Sequence, residues 1–246
     1  MNKSQSHKHH KKMQKEMNKS QSHKHLLRFD NGVYNLLTHQ FCQIEHNDSD
    51  SFTTGYDYVE FPESDETVIS VKNFLTQLFP DHATYNLALN KLASFLKGGN
   101  PDGNFSAWVG SGNNGKSRLA ELLKLSFGDY FARFDMNVDG STLDGRWRLL
   151  LTEESETITS GVIKYLVEQY NVICCCNHFP EGRTYDDEFL SRRVTIEFKS
   201  RFLDNPDPKK PFEFPVDPNL GQKLNQWKQA FMWILLHTLK KASESE

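Results

Sequence analysis

The sequence predicts an α/β fold built on a parallel sheet, and three observations predict it. A glycine-rich stretch, Gly110–Ser117, lies between an apolar segment and an amphipathic one. Two later apolar runs each end in polar residues, at Glu153-Glu154 and at Asn177. Segments with helical spacing alternate with these runs, which is the pattern of a parallel sheet covered by helices. Of the 246 residues, 37% are hydrophobic, which is enough for a packed core.

The first 25 residues form a repetitive, basic tail. The stretch MNKSQSHKH occurs twice, at Met1–His9 and at Met17–His25. Residues 1–25 hold seven Lys, five His and one Glu, a net charge of +6, whereas the other residues carry −9 and bring the whole chain to −3. We expect the tail to be disordered, either without function or as a loose electrostatic arm for nucleic acid, and Met17 is an alternative start. The acidic body argues against a broad basic face for nucleic acid.

Composition also bears on compartment and on metals. No run reaches the roughly 18 apolar residues of a membrane span, and no apolar signal peptide follows the start, so we expect an intracellular protein without membrane contact. The cysteines are Cys42 and the run Cys174–Cys176. Three consecutive cysteines are a poor disulfide framework and lack the paired spacing of a zinc site, so NVICCCN is interpreted as a buried strand.

Residues 26–100 predict a small β region followed by a helical collar. Asn31-Gly32 between two apolar runs is a hairpin signal, and residues 52–61 alternate again. From Glu66 the apolar spacing becomes helical over residues 66–79, and a second amphipathic helix is predicted over residues 83–96. The predicted regions are therefore the tail at 1–25, the β and collar region at 26–100, a P-loop domain at 101–202, and a linker with a C-terminal helix at 203–246.

The stretch GSGNNGKS fits the P-loop spacing G-x-x-x-x-G-K-[ST] and has the strand before it and the helix after it that this motif requires. Glycines let backbone N–H groups turn inward around phosphates, and the helix dipole favours their charge. Lys116 would neutralise the β- and γ-phosphates of ATP and Ser117 would bind Mg²⁺. The predicted nucleotide-binding residues are Gly110, Ser111, Gly112, Asn113, Asn114, Gly115, Lys116 and Ser117.

Three further groups are candidates for catalysis. An apolar strand tipped by Glu153 and Glu154 is what a Walker B site needs, where one carboxylate, Glu153, holds Mg²⁺ through water and the other orients or deprotonates the attacking water. Asn177 at a strand tip can hold the lytic water or the γ-phosphate, or it merely starts a turn. Arg192 and Arg193 precede another strand and are either surface residues or arginine fingers that reach a neighbour's γ-phosphate.

In this order, the pieces resemble the superfamily 3 helicases, and more narrowly the poxvirus-type primase–helicases of large DNA viruses and related phages. The phrases that carry the resemblance include FDNGVYNL, TGYDYVEF, the stretch from Leu92 to Phe134, CNHFPE and SRRVTIEFKSRF, and it extends over about residues 27–236. The resemblance is to the helicase part of the family alone, and it implies an AAA+-like P-loop module. Such a module works as a ring, commonly a hexamer, and hydrolyses ATP to move along DNA during replication.

By position, the resemblance makes Lys116 and Ser117 the Walker A pair, Glu153 and Glu154 the Walker B acids, and Asn177 the sensor. Arg192 or Arg193 becomes the finger that acts on a neighbour's ATP. The cell compartment it implies is the host cytoplasm or a viral factory.

One departure concerns the segment between Glu153 and Asn177. The family normally inserts there a β-hairpin that grips DNA in the pore, whereas here the helix SGVIKYLVEQ runs straight to NVICCC. Tyr165 and Tyr170 lie on or just after that helix, and we expect them in the core.

The function therefore has three interpretations. The first is an ATP-driven DNA helicase module, defective in unwinding because the hairpin is missing. The second is a nucleotide-binding relic or non-enzymatic subunit that joins rings of a full-length relative, and the third is another P-loop enzyme such as a kinase.

Overall fold

The computed structural model describes residues 24–43, 52–134, 143–153, 160–179 and 185–245. Its strands are β1 Leu26–Phe29, β2 Gly32–Asn35, β3 Gln40–Cys42, β4 Phe105–Val109, β5 Phe131–Arg133, β6 Leu149–Glu153, β7 Asn171–Cys176, β8 Arg193–Glu197, β9 Arg201–Leu203 and β10 Glu213–Pro215. Its helices are α1 Glu66–Leu78, α2 His82–Ser94, α3 Lys116–Phe127, α4 Ser160–Val167, α5 Asp187–Ser191 and α6 Leu220–Ser243.

A five-stranded parallel sheet in the order β5-β6-β7-β4-β8 forms the centre of the structure, so the predicted α/β fold is confirmed. Strand β7 lies between β4 and β6, with Cys176 opposite Val109 and Cys175 opposite Glu153. The carboxyl ends of these three strands therefore meet at one edge of the sheet. Ligands bind at this edge in open parallel sheets.

Side chains alternate along every strand, so both faces of the sheet carry apolar side chains, and helices cover each face. Trp108, Leu151 and Ile173 share one hydrophobic cluster with α1, α2, α3 and α6. On the opposite face, Ala107 and Val172 pack with residues of α4 and with the side chains of the α5 region. The buried strands are continuous apolar runs, as expected for a parallel sheet covered on both sides.

The N-terminal region confirms the hairpin at Asn31-Gly32, where β1 pairs with β2. Residues 52–61 alternate in burial, with Tyr56 and Tyr58 buried, but they form no strand. Their backbone bonds to the end of β1, where the Thr54 N–H donates to the Arg28 carbonyl and the Tyr56 carbonyl accepts from the Asp30 N–H, both at 3.0 Å. The Asn31 side chain accepts from the Tyr58 N–H at 2.8 Å and donates to the Tyr58 carbonyl at 3.0 Å. These contacts attach the alternating segment to the hairpin without a regular strand.

Two buried polar side chains connect the predicted collar to the sheet. Arg148, 2% exposed, precedes β6 and donates to the carbonyls of Leu96 and, at 2.6 Å, of Leu26. Asn171 at the start of β7 donates to the carbonyl of Lys97 at 3.0 Å. The C-terminal end of α2 is thereby attached to the amino edge of the sheet.

Helix α6 packs against α1, α2 and α3, so it shares a core with the collar and with the sheet. The boundaries at residues 26, 101 and 203 stay predictions. All but Lys24 and His25 of the predicted tail lie outside the described residues. Among the helices that are described, none is long and apolar enough to cross a membrane.

Candidate functional site

The glycine-rich loop is held in shape by close contacts that only glycine permits. A Cβ added at Gly110 would collide with the Asn114 side-chain amide and lie 2.7 Å from the Phe198 carbonyl oxygen. Gly115 has a φ of +85°, and an added Cβ there would collide with Leu78 of α1. Glycine adopts this left-handed conformation without a steric cost. The loop is therefore shaped before any ligand binds.

Polar contacts inside the loop fix its curvature. The buried Asn114 side chain donates to the Ser111 carbonyl at 2.9 Å and accepts from the Lys116 backbone N–H at 3.3 Å. The Lys116 ammonium donates to the Gly110 carbonyl across the loop. Lys116 is the first residue of α3, where the helix dipole adds partial positive charge. The arrangement concentrates donors and positive charge, which suits an anion.

A cavity of about 350 Å³ adjoins the loop, and we call it the P-loop cavity. Lys116, Ser117 and Asn177 all line it, together with four other loop residues, Gly112–Gly115. Asn177 reaches it because β7 pairs with β4, which puts the residues after Cys176 and Val109 side by side. The predicted loop and sensor are thus brought together. Gly110 and Ser111 are outside its lining.

Glu153, the predicted Walker B acid, ends β6, one strand beyond β7. Its carboxylate is half exposed and makes a 2.9 Å ion pair with Arg133, the last residue of β5. It is outside the lining of the P-loop cavity, although both its charge and that of Lys116 act on the Cys175 thiol between them. Glu154 lies outside the described residues.

The predicted fingers lie at the other end of the sheet. Arg193 begins β8 opposite Phe105, the first residue of β4, while the loop follows the last residue, Val109. At 3.3 Å per residue, the length of β4 separates them from the P-loop edge by about 13 Å. Arg192 pairs with Glu188 at 2.6 Å, and the Arg193 guanidinium lies 4.4 Å from the Phe179 ring centroid. Neither arginine reaches its own chain's loop in this arrangement.

The cysteine run is buried in β7, as predicted. Burial, assisted by the negative charge of Glu153, raises the pKa of the Cys175 thiol to about 12, and burial also raises the pKa of Cys174. Such thiols stay protonated and make poor nucleophiles or metal ligands. Within the described residues, no group of three or more His, Cys, Asp or Glu side chains could hold a metal ion.

The junction between α4 and β7 is a tight turn. Helix α4 ends at Val167, β7 begins at Asn171, and Leu166 accepts backbone hydrogen bonds from Gln169 and Tyr170. Residues 160–179, described without a gap, contain no hairpin at this point. Tyr170 is buried as expected, but the expectation for Tyr165 was wrong. Tyr165 is 49% exposed, because the apolar face of α4 is formed by Ile163, Leu166 and Val167.

The residues present fit a nucleoside triphosphate with Mg²⁺. The loop supplies the Lys116 ammonium and a backbone whose shape a side chain at Gly110 or Gly115 would disturb. Mg²⁺ in such sites keeps several waters and uses one or two protein ligands plus phosphate oxygens. Ser117 in the cavity and Glu153 at the neighbouring strand tip would supply those ligands, so a dense cluster of acids is not required.

The fold and this site together define an α/β module with a five-stranded parallel sheet, consistent with a P-loop NTPase-like module. The sequence is similar to viral proteins named as candidate helicases. It is 29% identical over 257 residues to helicase L207/L206 of Acanthamoeba polyphaga mimivirus, with 88% of this chain and 27% of that protein covered. It is 32% identical over 216 residues to helicase 121R of Invertebrate iridescent virus 3, with 72% of this chain and 23% of that protein covered.

The resemblance to helicases of large DNA viruses is therefore confirmed as homology. The chain spans about a quarter of the length of these relatives. No protein-family model matches it. Among solved structures, two A-form apo structures of the NrS-1 C-terminal region superpose with TM-scores of 0.55 and 0.52. The matches extend over 74% of this chain and 47% and 46% of theirs, at 18% and 19% identity. At that identity the match supports the fold alone.

Proposed function

We propose that this chain is the ATP-binding and ATP-hydrolysing module of a superfamily 3 DNA helicase of viral replication type. The observation that supports the proposal most strongly is the P-loop cavity, in which Lys116, Ser117 and Asn177 converge from two neighbouring strands. The viral relatives, named as helicases, support the larger assignment. The working compartment would be the host cytoplasm or a viral factory.

Each residue has a role that its position allows. The Lys116 ammonium and the loop N–H groups bind the β- and γ-phosphates, and the Ser117 hydroxyl and Glu153 carboxylate hold Mg²⁺. The metal would neutralise charge on the phosphate oxygens. Asn177 positions the attacking water or the γ-phosphate, and Glu154 or Glu153 accepts the proton of that water.

Hydrolysis requires a neighbouring subunit in this proposal. Arg192 and Arg193 are at the amino edge of the sheet, away from their own loop. An arginine there can stabilise the transferring phosphoryl group of an adjacent chain if subunits assemble in a ring. The ring would be homo-oligomeric, with a hexamer as in the family, or would form by co-assembly with a longer relative.

Movement along DNA is a separate requirement. A motor needs an element whose contact with DNA differs between nucleotide states, and the direct turn from α4 to β7 leaves no hairpin there for that task. Basic side chains nearby are also engaged, since Lys164 pairs with Asp186 at 2.6 Å. We therefore propose that the isolated chain binds ATP, hydrolyses it weakly or not at all, and does not unwind DNA.

The tight turn also favours a second candidate, a nucleotide-binding subunit without enzymatic activity. A single-turnover ATPase assay with and without single-stranded DNA separates the two, with Lys116→Ala as the inactive variant. Lys124→Ala, an exposed lysine on the same helix, is the matched control. Slow hydrolysis that is lost only in Lys116→Ala supports the enzyme. ATP binding without turnover, even at high protein concentration, supports the second candidate, and absence of ATP binding contradicts both.

A further inference from the structure

A second cavity, of about 550 Å³, opens on the collar, and we call it the collar groove. Three helices that are far apart in the sequence form its walls, with Lys72 from α1, Tyr85 from α2 and His237 from α6. Among the described residues, none lines both this groove and the P-loop cavity. The proposed chemistry of ATP therefore leaves the collar groove without a role.

The lining of the collar groove is positively charged. Three lysines contribute to it, Lys72, Lys97 and Lys241, but only one of its described residues, Glu63, is a carboxylate. Glu63 is shared, since it lies 3.9 Å from the Lys72 ammonium and 3.4 Å from that of Lys241. Lys97 is exposed and makes no ion pair with a described residue. In a body that is acidic as a whole, this local excess of positive charge favours an anionic ligand.

The basic tail joins the fold beside this groove. The Lys24 carbonyl accepts from the Gly98 N–H at 3.3 Å, and the Lys24 ammonium would lie 2.9 Å from a Cβ added at Gly99. Gly98 directly follows Lys97 of the groove. Residues 1–25, with their net charge of +6, are therefore attached at the end of the groove that Lys97 forms.

Aromatic side chains lie in the same lining. The rings of Trp233 and His237 stack with their centroids 3.9 Å apart, and Trp233 is 4% exposed, so His237 is the accessible member of this pair. The His237 Nδ1–H donates to the Trp233 carbonyl at 3.0 Å, which fixes the ring. Tyr85 is half-buried, and its hydroxyl has no hydrogen-bond partner among the described residues. Proteins hold single strands with this combination of positive charge and aromatic surface.

We propose that the collar groove binds a single-stranded nucleic acid, with phosphates at Lys72, Lys97 and Lys241 and a base against Tyr85. The site is separate from the P-loop cavity, and binding there requires no ATP. Phosphate contacts supply affinity without sequence preference. An acidic protein segment would also satisfy the lysines, but it would leave the aromatic surface unexplained.

Fluorescence anisotropy tests the proposal on the full chain, with a labelled oligothymidylate about 20 nucleotides long and no nucleotide present. Lys97→Gln combined with Lys241→Gln removes two of the three lysines and should weaken binding at least about tenfold at low salt. The slope of log affinity against log salt should become shallower by about 1.4, because each phosphate contact to a single strand contributes about 0.7.

Lys124→Gln combined with Lys209→Gln is the matched control. Both lysines are exposed and outside the groove lining, and the net charge changes by the same amount. Affinity should stay within about twofold of the wild type, because charges far from the ligand are screened by salt. Melting curves establish that every variant is folded.

Glu63→Gln provides a readout in the opposite direction. Its loss frees Lys72 and Lys241 and removes a charge that repels phosphate. Binding should tighten by about fivefold, as expected for one like-charge contact at about 4 Å in water. A substitution that only disturbed the fold would not tighten binding.

Unchanged affinity in both groove variants would overturn the proposal. Equal losses in the control would do so too, because binding would then be due to diffuse charge or to the tail. If polyglutamate displaces the labelled strand as readily as unlabelled oligothymidylate does, the groove takes any polyanion and the assignment to nucleic acid fails. A wild type that does not bind the oligonucleotide also contradicts the proposal, whereas ATP binding, measured separately, decides the proposed function.

Discussion

The side chains of Arg133 and Glu153 form an ion pair of 2.9 Å between the ends of β5 and β6. Both are nearly half exposed, at 47% and 45%, and exposed pairs contribute only about 0–1 kcal/mol to stability. The pair therefore has little structural value. A role for Glu153 in the candidate site explains better why this carboxylate lies at the edge of the sheet where the P-loop lies.

Glu153→Gln should abolish most ATP hydrolysis while leaving ATP binding nearly intact. Because Glu153 is proposed to hold Mg²⁺ or to accept the proton of the attacking water, its loss should lower the rate by roughly 10²- to 10⁴-fold. Arg133→Ala is the control, with a rate within a few-fold of the wild type and a melting temperature lower by at most about 4 °C. Single-turnover kinetics and ATP titration measure both effects. A wild-type rate in Glu153→Gln would remove this residue from the site.

The double change of Arg192 and Arg193 to Ala should abolish the rise of specific activity with protein concentration. The reason is that both arginines lie beside Phe105, the first residue of β4, whereas the loop follows the last residue, Val109, about 13 Å away along the strand backbone. ATP affinity should stay within a few-fold of the wild type. Arg146→Ala is a matched control, because Arg146 also pairs with a carboxylate, Asp144, and lies over an aromatic ring, Phe52.

Specific activity is measured over increasing protein concentration, starting from dilute monomer. This series distinguishes arginines that act between subunits from a site that each chain completes by itself. A rate per chain that rises with concentration in the wild type and in Arg146→Ala supports action between subunits. A rate that is flat over the whole range would mean that each chain completes its own site.

A forked-duplex assay should show no ATP-dependent strand separation by the purified chain. Tyr165 is exposed, but it stands next to Lys164, whose charge is neutralised by Asp186. Binding of single strands normally combines aromatic stacking with a positive groove. Strand separation by the wild type that disappears in Lys116→Ala would show that another segment grips DNA.

Arg148→Ala should destabilise the protein by about 2–4 kcal/mol, because it leaves the buried carbonyl of Leu96 and the half-buried carbonyl of Leu26 without their donor. For a chain of this size, the melting temperature should fall by roughly 4–16 °C. Arg146→Ala is again the control, since Arg146 is exposed and two residues away. Urea denaturation measures the difference, and equal effects of the two changes would refute the role of Arg148.

The sequence predicted those parts of the structure that depend on local pattern. Helix α3 begins at Lys116, as the P-loop motif indicates, and β7 covers NVICCC in full. Asn177 lines the same cavity as the loop, since carboxyl ends of parallel strands meet at one edge, while its predicted role stays a prediction. In these stretches, the periodicity or motif spacing that predicts the structure is contained within about ten consecutive residues.

Features that depend on distant parts of the chain were missed. The apolar wall of the P-loop cavity combines Phe74 with Phe202 and Val216, and no local spacing relates these positions. The same holds for Arg133, which meets Glu153 only because β5 pairs with β6. Tyr165 was misassigned because it lies two residues from both Ile163 and Val167, which is about 200° around a helix, and so faces away from the buried side of α4.

The central claim is that the loop around Lys116 holds Mg²⁺-ATP, and thermal unfolding in saturating Mg²⁺-ATP tests it most directly. At about 100 times the dissociation constant, a ligand of the folded state contributes about 2.7 kcal/mol, which raises the melting temperature by roughly 5–10 °C at this size. We predict that shift for the wild type and for Lys124→Ala, and none at the same ATP concentration for Lys116→Ala. A wild-type melting curve that is unchanged by saturating Mg²⁺-ATP would contradict the account.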